Sequence, residues 1–148
     1  SSPALWSNIF ALNSDLLAPA VNRYLDVLSH IIRELKSAPA DESSAPDIDQ
    51  VARTSLFPRI VASCLITTVM EAEKTAGLSF ARYAGTGFAD FTLPATSAPE
   101  QDIEFISQHY ADVVPLLEQL FTKISVFQTR LESSDEAAIA AMCKTYSR

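Results

Sequence analysis

The residues best placed for chemistry lie in two short stretches. The first is AGTGFADFTLPA, residues 84–95, which holds Gly85 and Gly87, two of only three glycines in the chain. Asp90 sits there between Phe88 and Phe91. A carboxylate so placed is a candidate functional acid; its plainer role is to cap the next backbone turn or to pair with an Arg. Two close glycines suit backbone that bends through positive φ or is closely approached, so the stretch reads as a loop. The second stretch is TSLFPRIVASCLI, residues 54–66, where Arg59 follows Pro58. Arg59 is the candidate to receive an anion, since a guanidinium offers a bidentate fork. The plainer reading is a surface or interface salt bridge. Arg82 and Tyr83 precede the glycines and read as polar packing at a helix end.

Other reactive side chains do not assemble. His30 and His109 are the only histidines and lie far apart, so no metal site is expected. His109 and Asp112, with Glu104 nearby, have the spacing of a solvated helical pair. No Gly-x-Ser-x-Gly nucleophile motif is present. Cys64 and Cys143 form no disulfide framework, and Cys64 in the apolar run IVASCLITTVM reads as a buried free thiol. Trp6, at helical spacing with Ile9 and Phe10, reads as a core or interface anchor. No catalytic residue is assigned.

The elements that position these residues follow from composition and period. A chain of 148 residues, 48% hydrophobic and 20% charged, suits one packed domain, 1–148. The net charge of −7 argues against a nucleic-acid binder and against a polybasic membrane anchor. No apolar run approaches the roughly 20 residues that span a bilayer. The start, SSPALWSNIF, lacks a basic region and an initial Met, so a processed or cut chain without signal peptide is expected. A reducing, cytoplasmic setting fits all of this.

Residues 3–12 read as a short helix with Pro3 in its first turn. Asn13 to Asp15 supply a stop and an N-cap. A long amphipathic helix follows over 15–36, with Leu17, Val21, Leu25, Leu28, Ile32 and Leu35 on one stripe. Pro19 falls near its first turn. Residues 38–46, APADESSAP, read as a linker. A central core helix is predicted from Asp47 or Asp49 onward, with Pro58 as a kink or break and an apolar run from Ile60 to Met70. A short helix is expected over 78–84, before the glycine loop. Another starts at Pro99 and continues or restarts through DVVPLLEQLFTKISVFQTRLES. The last, in SSDEAAIAAMCKTYSR, opens with Ser and Asp caps and closes with basic residues. The fold class is all-α.

The chain also repeats itself. Shifting residues 1–37 by 96 positions lays Ser1, Pro3, Pro19, Ser29, Leu35 and Ser37 on identical residues in 97–133. Ile9 and Phe10 fall on Phe105 and Ile106, and Leu25, Leu28 and Ile31 on Phe121, Ile124 and Phe127. Two readings stay open: a duplicated helix pair in a pseudo-twofold arrangement, or two similar pairs filling similar packing slots.

Taken together, the stretches resemble the helical C-terminal dimerisation domain of prephenate and arogenate dehydrogenases. TSLFPRIVASCLI is similar to that family's Ser-His-Leu-Pro-His helix and the small-residue helix after it. AGTGFADFTLPATSAPE is similar to its Gly-Gly-Phe-Arg-Asp loop and the following Ser-x-Pro-Glu. ESSDEAAIAAMCKTYSR is similar to its acidic-start last helix. The opening SSPALWSNIFALNSDLLAPAVNRYLDVLSHI resembles the helix after the loop, so 1–37 matches the tail half of one copy and 54–148 most of a second. The resemblance implies a substrate side built from Ser55, Arg59, Gly87, Asp90 and Thr92. Pro58 and Phe88 also match. The family's loop arginines, which help bind substrate carboxylates, are here Ala89 and Leu93, and its first and last His are Leu56 and Arg59.

The resemblance further implies self-association through helices and an N-terminal nucleotide-binding domain. NAD or NADP would serve the full-length protein, with no cofactor, metal or catalytic residue in this chain: no Gly-x-Gly-x-x-Gly follows a strand. The implied role is the dimerisation and substrate-side domain of an oxidoreductase of tyrosine biosynthesis, inactive alone. A regulatory or interaction module derived from that domain is the second reading, and a helical bundle of accidental similarity the third.

Overall fold

The computed structural model describes residues 2–37, 52–77, 79, 82, 84–96 and 99–146, and the regular structure among them is all helical. The expected linker at 38–46, the helix start at Asp47 or Asp49, and Tyr83 lie outside the described residues, as does most of the short helix expected over 78–84.

Helix α1 runs Pro3–Leu12, with proline in the first turn, where its missing N–H costs no hydrogen bond. Asn13 stops it at φ −116°, ψ 18°. The Asn13 backbone N–H donates to the Ile9 carbonyl at 3.2 Å, and its side-chain amide donates to the same oxygen at 2.7 Å. Helix α2, Ser14–Ser37, restarts at once: the Leu16 and Leu17 amides donate to the Asn13 carbonyl. The predicted boundaries of both helices hold within one residue.

A π-type turn at Ala52–Leu56 leads into α3, Phe57–Ala76. Pro58 falls in the first turn of α3, just past the change from π-type to α-helical backbone, which is the kink or break expected there. The buried residues of α3 are Ile60, Ala62, Cys64 and Thr68. Ile60, Cys64 and Thr68 recur every four residues and stack on one face. Ser63, Thr67 and Met70 are exposed, so α3 is half-buried and not enclosed all round as its apolar run implies. The stretch Arg53–Ala76 reaches a mean hydropathy of 1.3 in its most apolar window, and by length and composition alone it is long and apolar enough to cross a membrane. It is the exception to the expectation that no segment has spanning length.

Gly77 closes α3 in the left-handed region, φ 65°, with its N–H on the Glu73 carbonyl at 2.9 Å. It is the one described glycine at positive φ. The stretch read as a loop around Gly85 and Gly87 is instead helical: α4 spans Thr86–Thr92 and a 3-10 turn follows at Leu93–Ala95. Gly85 is extended, φ −77° and ψ 175°, and its carbonyl accepts the Phe88 amide at 3.1 Å. Neither glycine needs a left-handed backbone, and a Cβ at either would meet open space.

Helix α5, Pro99–Glu132, both continues and restarts, because His109 inside it is non-helical at φ −129°, ψ 18°. Helix α6, Glu136–Tyr146, completes the described chain. The expected acidic cap is present: the Asp135 carboxylate accepts the Ala138 amide at 2.9 Å.

Contacts divide the chain into two compact units, Ser1–Leu25 with Phe121–Arg148, and Asp26–Leu120. In the first, α1 packs on α6. Ala18, Leu131 and Ile139 form its core, with Phe10, Leu17, Val21, Phe127 and Cys143 against them. Phe10 meets Phe127 edge-on at 5.4 Å, and Trp6 lies 5.8 Å from Phe10 while remaining 44% exposed, so Trp6 is no core anchor. In the second unit, α3 packs against the π-type turn, α4 and the Leu93–Ala95 turn. Its buried apolar side chains include Leu28, Leu56, Val113 and Leu117. Each such side chain contributes about 1.5–3 kcal/mol by leaving water.

Candidate functional site

The five residues marked as a substrate side all belong to the second unit. Ser55 is exposed in the π-type turn, and Arg59 is half-buried in the first turn of α3. Gly87 and Asp90 are exposed on α4. Thr92, the last residue of α4, is buried. Its hydroxyl donates to the Phe88 carbonyl at 2.8 Å and lies 3.3 Å from that of Ala89. That hydroxyl therefore serves the helix backbone. The packing of α3 against α4 and the turn brings the two sequence stretches into one neighbourhood.

The apolar replacements differ in their surroundings. Ala89 and Leu93 are exposed, Leu93 at 67%. A cationic side chain at either position would reach solvent or a ligand freely. Leu56 is 2% exposed, so it acts as core. An imidazole in its place would need a buried partner.

His109 departs from its expected role. A solvated i, i+3 pair with Asp112 requires a continuous helix, and the helix breaks at His109, whose side chain is 8% exposed. His30 is the solvated histidine, 3.9 Å from Glu34 one turn on. Among the described residues no three His, Cys, Asp or Glu side chains are grouped as metal ligands would be. Both cysteines are free thiols, as expected, and burial pushes the Cys64 thiol up to about 12.

Two features went unread in the sequence. An open groove of about 490 Å³ in the first unit is lined by Ser7 and Asn8 of α1 and Glu136 and Lys144 of α6, among others, and holds none of the five residues. Two polar pairs link α2 to α5. Lys36 and Glu118 form an ion pair, and the Asn22 amide donates to Glu132 at 3.3 Å. The repeat contains the signal for these pairs, because the 96-position shift carries Asn22 onto Glu118 and Lys36 onto Glu132.

Comparison with known proteins gives one match. The family model described as prephenate dehydrogenase, dimerization domain, covers residues 43–145. That match removes accidental similarity as a reading. No curated protein and no solved structure matches significantly.

Proposed function

Because the chain belongs to the prephenate dehydrogenase dimerization-domain family, we propose that it is the association and substrate-side domain of a prephenate or arogenate dehydrogenase-like oxidoreductase of tyrosine biosynthesis. The observation that carries this reading is the family match over 43–145, on a chain whose regular structure among the described residues is all helical. In the complete enzyme a hydride would pass from the substrate ring to NAD or NADP, with loss of the ring carboxylate. An N-terminal domain would hold the nucleotide, and this chain would form one wall of the cleft. Alone it would bind no dinucleotide and turn nothing over. It would work in the cytoplasm, with neither nucleic acid nor membrane as partner. Its association would run through helices, between chains or between the halves of one.

On the substrate side, Arg59 would supply the cation that meets a substrate carboxylate, with Ser55, Gly87, Asp90 and Thr92 shaping the wall. A guanidinium held in the first turn of α3 can form a charge-assisted pair with a substrate carboxylate.

Ala89 and Leu93 favour a second reading, a regulatory or interaction module that keeps the architecture without the ligand. Calorimetric titration of the chain with prephenate separates the two. Binding that is lost in Arg59→Ala supports the substrate side. No binding by the native chain supports the second reading.

A further inference from the structure

We propose that residues 1–37 and 97–133 are two copies of one helix pair, and that the chain pairs them with each other, so that α5 finds its association partner in α2 of the same chain. Four observations share the 96-position register.

The first is the helix break. Asn13 interrupts the first copy at φ −116°, ψ 18°, and His109 the second at φ −129°, ψ 18°. Each copy opens on a proline, Pro3 or Pro99, and carries another inside the helix after the break, Pro19 or Pro115.

The second is burial. Ala18 and Val114 are each 8% exposed. Leu17, Val21, Leu25, Leu28, Ile32 and Leu35 are buried or half-buried, and so are Val113, Leu117, Phe121, Ile124, Gln128 and Leu131 at the equivalent positions. Pro19 and Pro115 are both exposed, as are Asn22 and Glu118. Two positions invert the pattern: Val27 is buried where Lys123 is exposed, and Asn13 is exposed where His109 is buried.

The third is the helix end. The Ser37 hydroxyl donates to the Glu34 carbonyl at 2.8 Å, and the Ser133 hydroxyl to that of Arg130 at 3.2 Å. These are equivalent residues making the same bond.

The fourth is reciprocity. Lys36 pairs with Glu118, and Asn22 pairs with Glu132. Under the shift, each pair becomes the other with the two copies exchanged. Residue i of one copy meets j of the other, and j meets i, which is the signature of an isologous interface. Unrelated amphipathic helices match in hydrophobic period by chance. A shared break and crossed pairs in one register are not expected of unrelated helices. The family match begins at residue 43, so it covers the second copy and leaves 1–37 outside.

This inference names the partner in the association role proposed above and rests on that role. It is tested by cross-linking the full chain. Two double variants, Asn22→Cys with Glu132→Cys and Lys36→Cys with Glu118→Cys, are made on a Cys143→Ala background. All four positions are exposed, and the Cys143→Ala background removes one half-buried thiol at the edge of the first unit's core. Each is treated with a short bis-maleimide and read by intact mass and peptide mapping. The expected result for both variants is one linker bridging two thiols within a single chain. Covalent dimers from either pair would overturn internal pairing while leaving association with a second copy standing. Failure of either pair to cross-link, when its thiols still take up a monofunctional maleimide, would overturn the inference. Failure of both would also count against the association role.

Discussion

Asn13 and His109 hold nearly the same non-helical backbone, φ −116°, ψ 18° and φ −129°, ψ 18°, 96 positions apart. One is an exposed asparagine whose amide caps the preceding turn; the other is a buried histidine. The same break is thus kept by two different side chains.

That difference predicts unequal costs. Asn13→Ala removes one exposed hydrogen bond to the Ile9 carbonyl and should cost about 1 kcal/mol. His109→Ala empties a buried site and should cost more, about 2 kcal/mol or above. Denaturant midpoints of the two variants check the order; equal losses would contradict it.

The junction of α5 and α6 predicts a stabilising substitution. Ser134 is left-handed at φ 51°, with its N–H on the Leu131 carbonyl at 3.1 Å and that of Asp135 on Arg130 at 3.2 Å. This is a Schellman turn with serine where glycine is usual. Ser134→Gly should raise stability by about 1 kcal/mol, since the left-handed conformation costs an L-residue about that much. Asp135→Ala should lower it by about 1 kcal/mol through loss of the N-cap. Thermal melts read both.

Cys64 predicts a fall in stability at high pH. Its folded-state thiol is raised by burial to about 12, against about 8.5 in an unfolded chain. The neutral thiol's contribution is therefore complete below about pH 8.5 and is lost as pH rises toward 12, at up to about 1.4 kcal/mol per unit. The unfolding free energy of the native chain, read by denaturant titration, should fall over that range more than that of Cys64→Ala. Identical pH slopes would refute the assignment. In the native chain at neutral pH, maleimide should label the partly buried Cys143 and spare Cys64.

The parts of the fold legible in sequence were those with punctuation. Pro3, Asn13 and the stripe from Leu17 to Leu35 bounded α1 and α2 within a residue, because period and stop signals agreed. Helix α4 was not legible. Two glycines beside Thr86 argue against helix locally, yet the Gly85 carbonyl receives the first turn and buried Thr92 bonds back to Phe88. The break at His109 lacks glycine or proline beside it, and the sequence signalled only that the helix from Pro99 continues or restarts, without a position. At the candidate site, the motif departures at Ala89 and Leu93 were plain from residue type. The Thr92 hydroxyl's commitment to the backbone, and the burial of Leu56 and His109, needed the packed structure.

The most direct measurement of the central claim is turnover by the purified chain given prephenate or arogenate with NAD or NADP. The account predicts no reduced nicotinamide with any combination, because on the proposed reading the catalytic and nucleotide-binding groups would belong to another domain. Sustained reduction of either nucleotide by this chain alone would contradict it.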